Sequence, residues 1–181
     1  RVNPDDRILS RLIEAEDDGD VLSDEELVAQ VLLLFVAGHE TTVNLIGNGT
    51  LALLRNPAQL DALRSDPALI TNAVEELLRY DSPVQMSRRI TVTDVELGGR
   101  TIEGGTFVIA GLASANRDEA HFGPDAGELD LARSNAGEHL AFGGGVHFCL
   151  GAALARMEGQ LAIGSLVQRF PGLPAAGDPL G

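Results

Sequence analysis

The 181-residue chain carries 27 acidic against 13 basic residues, a formal net charge of -14, and is 44% hydrophobic and 22% charged, which suits one globular domain with a sizeable core. That balance excludes a nucleic-acid footprint, which needs clustered Lys and Arg to neutralise phosphates, and an acidic surface mainly confers solubility. The single cysteine cannot form an internal disulfide, and without a basic-plus-apolar leader segment the expected location is a reducing cytoplasm.

Asp5 to Glu16 has helical apolar spacing at Ile8, Leu9, Leu12 and Ile13, closed by an acidic, glycine-containing loop from Asp17 to Val21. Ser23 with Glu26 three residues on fits a capping box opening a long helix to about Leu54, some ~30 residues or ~45 Å at the α-helical rise. Gln30, His39, Glu40, Asn44 and Asn48 interrupt its apolar run, too many polar groups for an ordinary membrane span. Apolar nearly all round, this helix is expected in the middle of a soluble fold. At its centre, Ala37-Gly38-His39-Glu40-Thr41-Thr42 is a weak point: glycine costs about 1 kcal/mol in a helix, and threonine can bond the carbonyl four residues back and bend it. A buried acid and hydroxyl beside such an opening would handle protons, and a kinked core helix with satisfied polar groups is the structural alternative.

Asn56-Pro57 ends that helix and starts another, and Asp66-Pro67 precedes a further helix from Leu69 to Tyr80, stopped by Asp81-Ser82-Pro83. On it, Glu76 and Arg79 lie three apart, opposite an apolar face of Ile70, Ala73, Val74, Leu77 and Leu78. Periodicity alone reads the pair as solvated, worth about 0.2–0.5 kcal/mol. Arg89 to Ala110 changes to strand patterning around a Gly98-Gly99 turn, a small sheet. Some thirty residues rich in Asp, Pro and Gly follow, a long loop that requires something to pack around. The helix Ala152 to Arg169 closes the recognisable structure.

Phe142-Gly-Gly-Gly-Val146-His147-Phe148-Cys149-Leu150-Gly151 sets the thiol in a glycine loop running into that last helix. A helix N-terminus and free loop N–H groups stabilise a thiolate, and glycines let a flat ligand approach the backbone. A buried free cysteine in a tight turn is the alternative for any lone thiol. A zinc site from His139, His147 and Cys149 lacks a fourth ligand and closely spaced thiols. Thiolate ligation of haem iron fits better.

The loop resembles the signature F-G-x-G-x-H-x-C-x-G of the cytochrome P450 monooxygenases at Phe142, Gly143, Gly145, His147, Cys149 and Gly151. The segment at Ala37 to Thr42 is similar to the family's [AG]-G-x-[DE]-T-[TS], and Glu76 with Arg79 to its E-x-x-R. The resemblance extends over essentially all 181 residues and implies a mainly α fold with a minor β-sheet: the C-terminal half of the cytochrome P450 fold, with residues 1–181 as part of a single domain. Starting at Arg1 without Met and stopping at Gly181 after a Pro/Gly-rich tail, the chain is expected to be a fragment that binds haem poorly alone, lacking the N-terminal half and the final strands.

Further expectations come from the resemblance. Cys149 is the proximal ligand of a haem b iron and donates electron density that favours O–O cleavage. Phe142 packs beside the sulfur, and Arg89 and His147 hold haem propionates, with Arg88 the competing candidate to Arg89. Arginine suits that role because its planar fork pairs a carboxylate bidentately. Glu40 supplies protons and Thr41 holds dioxygen and its water network, whereas His39 is structural. Glu76, Arg79 and Arg133 form an ion triad anchoring the long loop, and Ala115-Asn116-Arg117-Asp118 matches a structural segment. Glu103 and Leu129 depart from the pattern at peripheral positions. The implied reaction inserts one oxygen atom of O2 into a small organic substrate, with electrons from a separate ferredoxin and ferredoxin reductase. Rival readings are a peroxide-driven hydroxylase, against which Glu40 and Thr41 speak, and a haem-binding sensor or degenerate remnant, against which the intact motif set speaks.

Overall fold

A computed structural model describes residues 7–14, 16–17 and 20–172, so the ends of the chain, including Asp5 and the Pro/Gly-rich tail, lie outside the described residues. The chain divides into two compact units, Arg1–Glu40 and Thr41–Gly181. The first holds helix α1 (Ile8–Glu14) and a two-residue antiparallel ladder of β1 (Glu16–Asp17) with β2 (Asp20–Val21), where the acidic loop was expected. It also holds the first half of α2 (Asp24–Arg55), which is α-helical throughout its 32 residues and shows no break at Gly38. The capping box is formed reciprocally: the Glu26 amide donates to Ser23 Oγ at 3.3 Å, and the Ser23 amide and hydroxyl donate to Glu26 Oε2 at 2.9 and 2.8 Å.

The expected burial of α2 on all sides is corrected by the structure. Val28, Val31, Leu32, Leu33, Leu34, Phe35 and Val36 are exposed, and the buried positions are Leu45, Gly49, Ala52 and Leu53 in the C-terminal part. A helix apolar all round needs neighbours on every face, and within the second unit the later turns find them through Leu45, Ala52 and Leu53.

In the second unit, α2 from Thr41 onward meets α3 (Pro57–Ser65), α4 (Ile70–Tyr80) and α7 (Ala152–Arg169). Ala52, Leu53, Leu60, Leu63, Ala73, Leu77, Ile163 and Val167 form the main core, joined by Leu129 and Leu131 of the long loop. Two glycines bring the helix backbones close. A Cβ at Gly49 would lie 3.1 Å from Ile163 Cδ1 and 3.2 Å from Leu77 Cδ1, and one at Gly159 would lie 3.0 Å from Leu45 Cδ2 and 3.3 Å from Val74 Cγ1. Leu45, Val74 and Leu78 form a second cluster against which Ala141 and Phe142 pack, connecting the core to the cysteine loop.

The expected single sheet is two separate ladders. β3 (Met86–Ile90) pairs antiparallel with β6 (Phe107–Gly111), and β4 (Val95–Leu97) with β5 (Arg100–Ile102). Gly98 and Gly99 both take positive φ, 58° and 73°, as a two-residue hairpin of type I′ demands. The expected long loop contains short helices α5 (Leu112–Ala115) and α6 (Glu119–Phe122) and a 3-10 turn at Ala136–Glu138. It buries Phe122, Ala126, Leu129, Leu131 and Ala136 around two arginines.

Candidate functional site

The cysteine loop closes on itself before entering α7. The Cys149 amide donates to the Phe142 carbonyl at 3.0 Å, the Phe148 amide to Gly145 at 3.1 Å, and the Ala152 amide to the Cys149 carbonyl at 3.2 Å. Gly143 and Gly145 sit at φ 72° and 67°, where a side chain would be strained. A Cβ at Gly144 or Gly145 would meet nothing within 4 Å, so this stretch of backbone is open to an approaching group. Cys149 is exposed, flanked by the almost fully exposed Val146 and Leu150 and the half-exposed Phe148. An accessible thiol among apolar side chains, three residues before the start of an 18-residue helix, can donate a soft thiolate to a flat apolar ligand bearing a metal.

Behind the loop lies a charged cluster. Arg156 of α7 donates from Nε and Nη2 to the two carboxylate oxygens of Glu75 at 2.6 and 2.9 Å, and its guanidinium lies 4.6 Å from the Phe142 ring centroid. His139 Nε2 meets Glu75 Oε2 at 3.2 Å, and its Nδ1 accepts from the Ala141 amide at 3.1 Å. With Nδ1 accepting, the proton sits on Nε2 and is donated to Glu75. Burial alone would raise the Glu75 carboxyl, but hydrogen bonds from His139 and Arg156 and the Arg156 charge bring it down to about 2. The Glu75 hydrogen bonds raise the Arg156 pKa against its own burial, and the Cys149 charge adds a smaller contribution.

On the neighbouring position of α4, Glu76 faces the other way, into the long loop. Glu76 and Arg79 have no exposed side-chain surface. All five N–H donors of Arg79 are used: Nε and Nη2 on Glu76, Nη1 on the carbonyls of Asn116 and Ala126, and Nη2 also on the carbonyl of Glu128. Arg133 donates to Glu76 at 3.2 Å, to Asp125, and to the carbonyls of Phe122 and Asp125. Burial would lower the Arg133 pKa, but the Asp125 hydrogen bond and the Glu76 charge leave it raised. Asn116 is buried beside them, donating to Ser82 Oγ and accepting from the Leu140 amide, both at 2.7 Å.

Other candidates from the sequence lie on β3, in the turn before Cys149 and along α2. Arg88 and Arg89 on β3 are both exposed, and Arg89 Nη1 donates to Ser87 Oγ and the Arg88 carbonyl. His147 is exposed in the 3-10 turn Gly145–His147. Glu40 is exposed at the end of the first unit, and Thr41 is half-buried at the start of the second. His39 stacks on Phe35 with ring centroids 5.8 Å apart. Sequence reasoning missed Glu75 and Arg156 and weighed His139 only as a metal ligand. The available signal was the position of Arg156, seven residues after Cys149, which on a helix starting at Ala152 puts it about one turn beyond the loop.

A family model described as Cytochrome P450 matches residues 2–179. Among curated relatives, cytochrome P450 107B1 of Saccharopolyspora erythraea is 53% identical over 180 residues, covering 99% of this chain and 44% of the relative. The vitamin D(3) 25-hydroxylase of Pseudonocardia autotrophica is 55% identical over 178 residues, covering 97% of this chain and 44% of the relative. The solved structure of the bacillaene polyketide synthase cytochrome P450 PksS of Bacillus subtilis matches with a TM-score of 0.92 at 45% identity, over 98% of this chain and 46% of that one. The chain thus spans less than half the length of these relatives.

Proposed function

The chain belongs to the cytochrome P450 family, and from that premise we propose that it is the C-terminal part of a single haem-binding domain in a monooxygenase that inserts one oxygen atom of O2 into a small organic substrate. The observation that carries this reading is the Cys149 loop: an exposed thiol, open glycine backbone and exposed apolar flanks. These features suit a flat apolar macrocycle with a metal at its centre. The donor set agrees, because a soft thiolate is a ligand for haem iron. When bound, haem b would supply the oxygen-activating chemistry.

The residues of this chain would divide the remaining work. Cys149 would ligate the iron, its loop shape set by the Phe142 carbonyl and the positive-φ glycines. Phe142 would pack beside the sulfur, and Arg89 and His147, both solvent-accessible, would pair propionates with charged or hydrogen-bonding groups. Glu40 and Thr41, at consecutive positions of α2, would deliver protons, the carboxylate from its exposed position and the hydroxyl as donor and acceptor. Glu76, Arg79 and Arg133 would hold the long loop in shape, a structural duty that matches their burial.

Electrons are proposed to arrive from a ferredoxin and its reductase, in a soluble, cytoplasmic setting without nucleic acid or membrane as partner. With these proteins, haem and an accepted substrate, the full-length enzyme should yield product bearing one atom from isotopically labelled dioxygen. Product labelled from water alone, or turnover with peroxide exceeding turnover with the electron-transfer proteins, would contradict the proposal.

A further inference from the structure

We propose that Glu75 is a positioning residue for Cys149, gripping Arg156 and His139 so that the Phe142 ring and the loop backbone bearing the sulfur hold one geometry. The proposal rests on the reading of Cys149 as the thiolate ligand and assigns a role to a carboxylate that the motif roles leave unused.

The connection can be followed atom by atom. Glu75 is anchored on α4, whose apolar side lies in both core clusters through Ala73, Val74, Leu77 and Leu78. Its two oxygens hold the Arg156 fork in bidentate geometry at 2.6 and 2.9 Å, an arrangement that fixes orientation as well as distance. The guanidinium so fixed lies over the Phe142 face at 4.6 Å. His139, held by the same carboxylate, also lies against the Phe142 ring at 5.5 Å between centroids, and Phe148 closes on it at 6.2 Å. The carbonyl of that clamped phenylalanine accepts the Cys149 amide at 3.0 Å. One carboxylate therefore holds two side chains that contact the ring of the residue to which the cysteine is hydrogen-bonded.

Adjacent acids on α4 thus govern different parts of one connection. Glu76 meets Arg133 and the Asp130 amide, and Glu75 meets His139 and, through Arg156, the Phe142 ring. About 100° of helical rotation separates neighbouring side chains, so a helix can turn one acid to each. Outer-shell partners of metal ligands, which orient the donor atom, typically change metal affinity about 10–100-fold when removed.

The test uses the full-length holoprotein and the variants Glu75→Gln, Arg156→Met and Arg156→Lys, with the exposed-pair variant Asp61→Asn as control. Two readouts are compared well below each variant's unfolding temperature: the share of thiolate-type band in the reduced, carbon monoxide-bound spectrum, and the rate of haem transfer to excess apomyoglobin. Glu75→Gln and Arg156→Met are expected to lose thiolate-type band and speed haem transfer about 10–100-fold, with Arg156→Lys in between and Asp61→Asn like the wild type. Wild-type band share and transfer rates in Glu75→Gln and Arg156→Met, even with lowered unfolding temperatures, would reduce the cluster to simple packing and overturn the proposal. A wild-type protein with no thiolate-type band would overturn both this proposal and the haem-thiolate reading beneath it.

Discussion

Arg79 grips Glu76 through two parallel hydrogen bonds of 2.7 Å, and neither side chain has exposed surface. Three apart on one helix, they would contribute only a few tenths of a kcal/mol in solvent. Enclosed by the long loop, they are instead an obligate pair, because losing one leaves the other charged and buried. Glu76→Ala is expected to destabilise the protein by about 3–5 kcal/mol, and Arg79→Lys nearly as much, since an ammonium has three donors where five are used. Urea unfolding of the full-length protein measures this, and a loss under about 1 kcal/mol would show that the pair is solvated after all.

Acid should weaken the Glu75 cluster in a defined window. Its carboxyl lies at about 2 against an ordinary 4.5, so its stabilising effect is fully present above pH 4.5 and fades as pH falls toward 2, up to about 3 kcal/mol in all. The stability difference between wild type and Glu75→Gln should therefore shrink across that window. A difference that stays constant from pH 7 to pH 3 would contradict the assignment of the shift to this carboxylate.

Glycines in the helices should respond with opposite signs. A methyl group at Gly159 would press on Leu45 and Val74 at 3.0 and 3.3 Å, and overpacking costs about 1–3 kcal/mol. At Gly47 it would meet nothing within 4 Å, leaving only the helix-propensity gain of up to about 1 kcal/mol. Thermal unfolding should rank Gly47→Ala above wild type and Gly159→Ala below it. Equal effects would mean that the α2, α4 and α7 backbones do not approach as closely as described.

Removal of the capping box should act locally. Ser23→Ala deletes a hydroxyl that both accepts from the Glu26 amide and donates to the Glu26 carboxylate, costing about 1 kcal/mol. Hydrogen exchange should quicken in the first turn of α2 and remain unchanged in α4. Unchanged protection at residues 24–27 would contradict the cap.

How far the sequence foretold these features depended on whether each was local. The capping box at Ser23, the proline-started helix at Pro57 and the Gly98-Gly99 hairpin follow from side chains acting within a few residues of themselves, and each occurs as expected. Burial is not local. The exposure of the apolar turns from Val28 to Val36 was not legible, since no periodicity records which neighbours a helix will find, and the burial of Glu76 and Arg79 was legible through family resemblance alone. Glu75 escaped notice because its partners His139 and Arg156 lie 64 and 81 residues away. Two ladders replaced one sheet for a similar reason: strand patterning identifies the strands but not which pairs join.

The ligand assignment of Cys149 is tested most directly by the absorption spectrum of the reduced, carbon monoxide-bound full-length protein, compared with Cys149→Ser. The wild type is expected to show the thiolate-type band and the variant to lose it. An identical spectrum in the two proteins would contradict haem-thiolate ligation by Cys149.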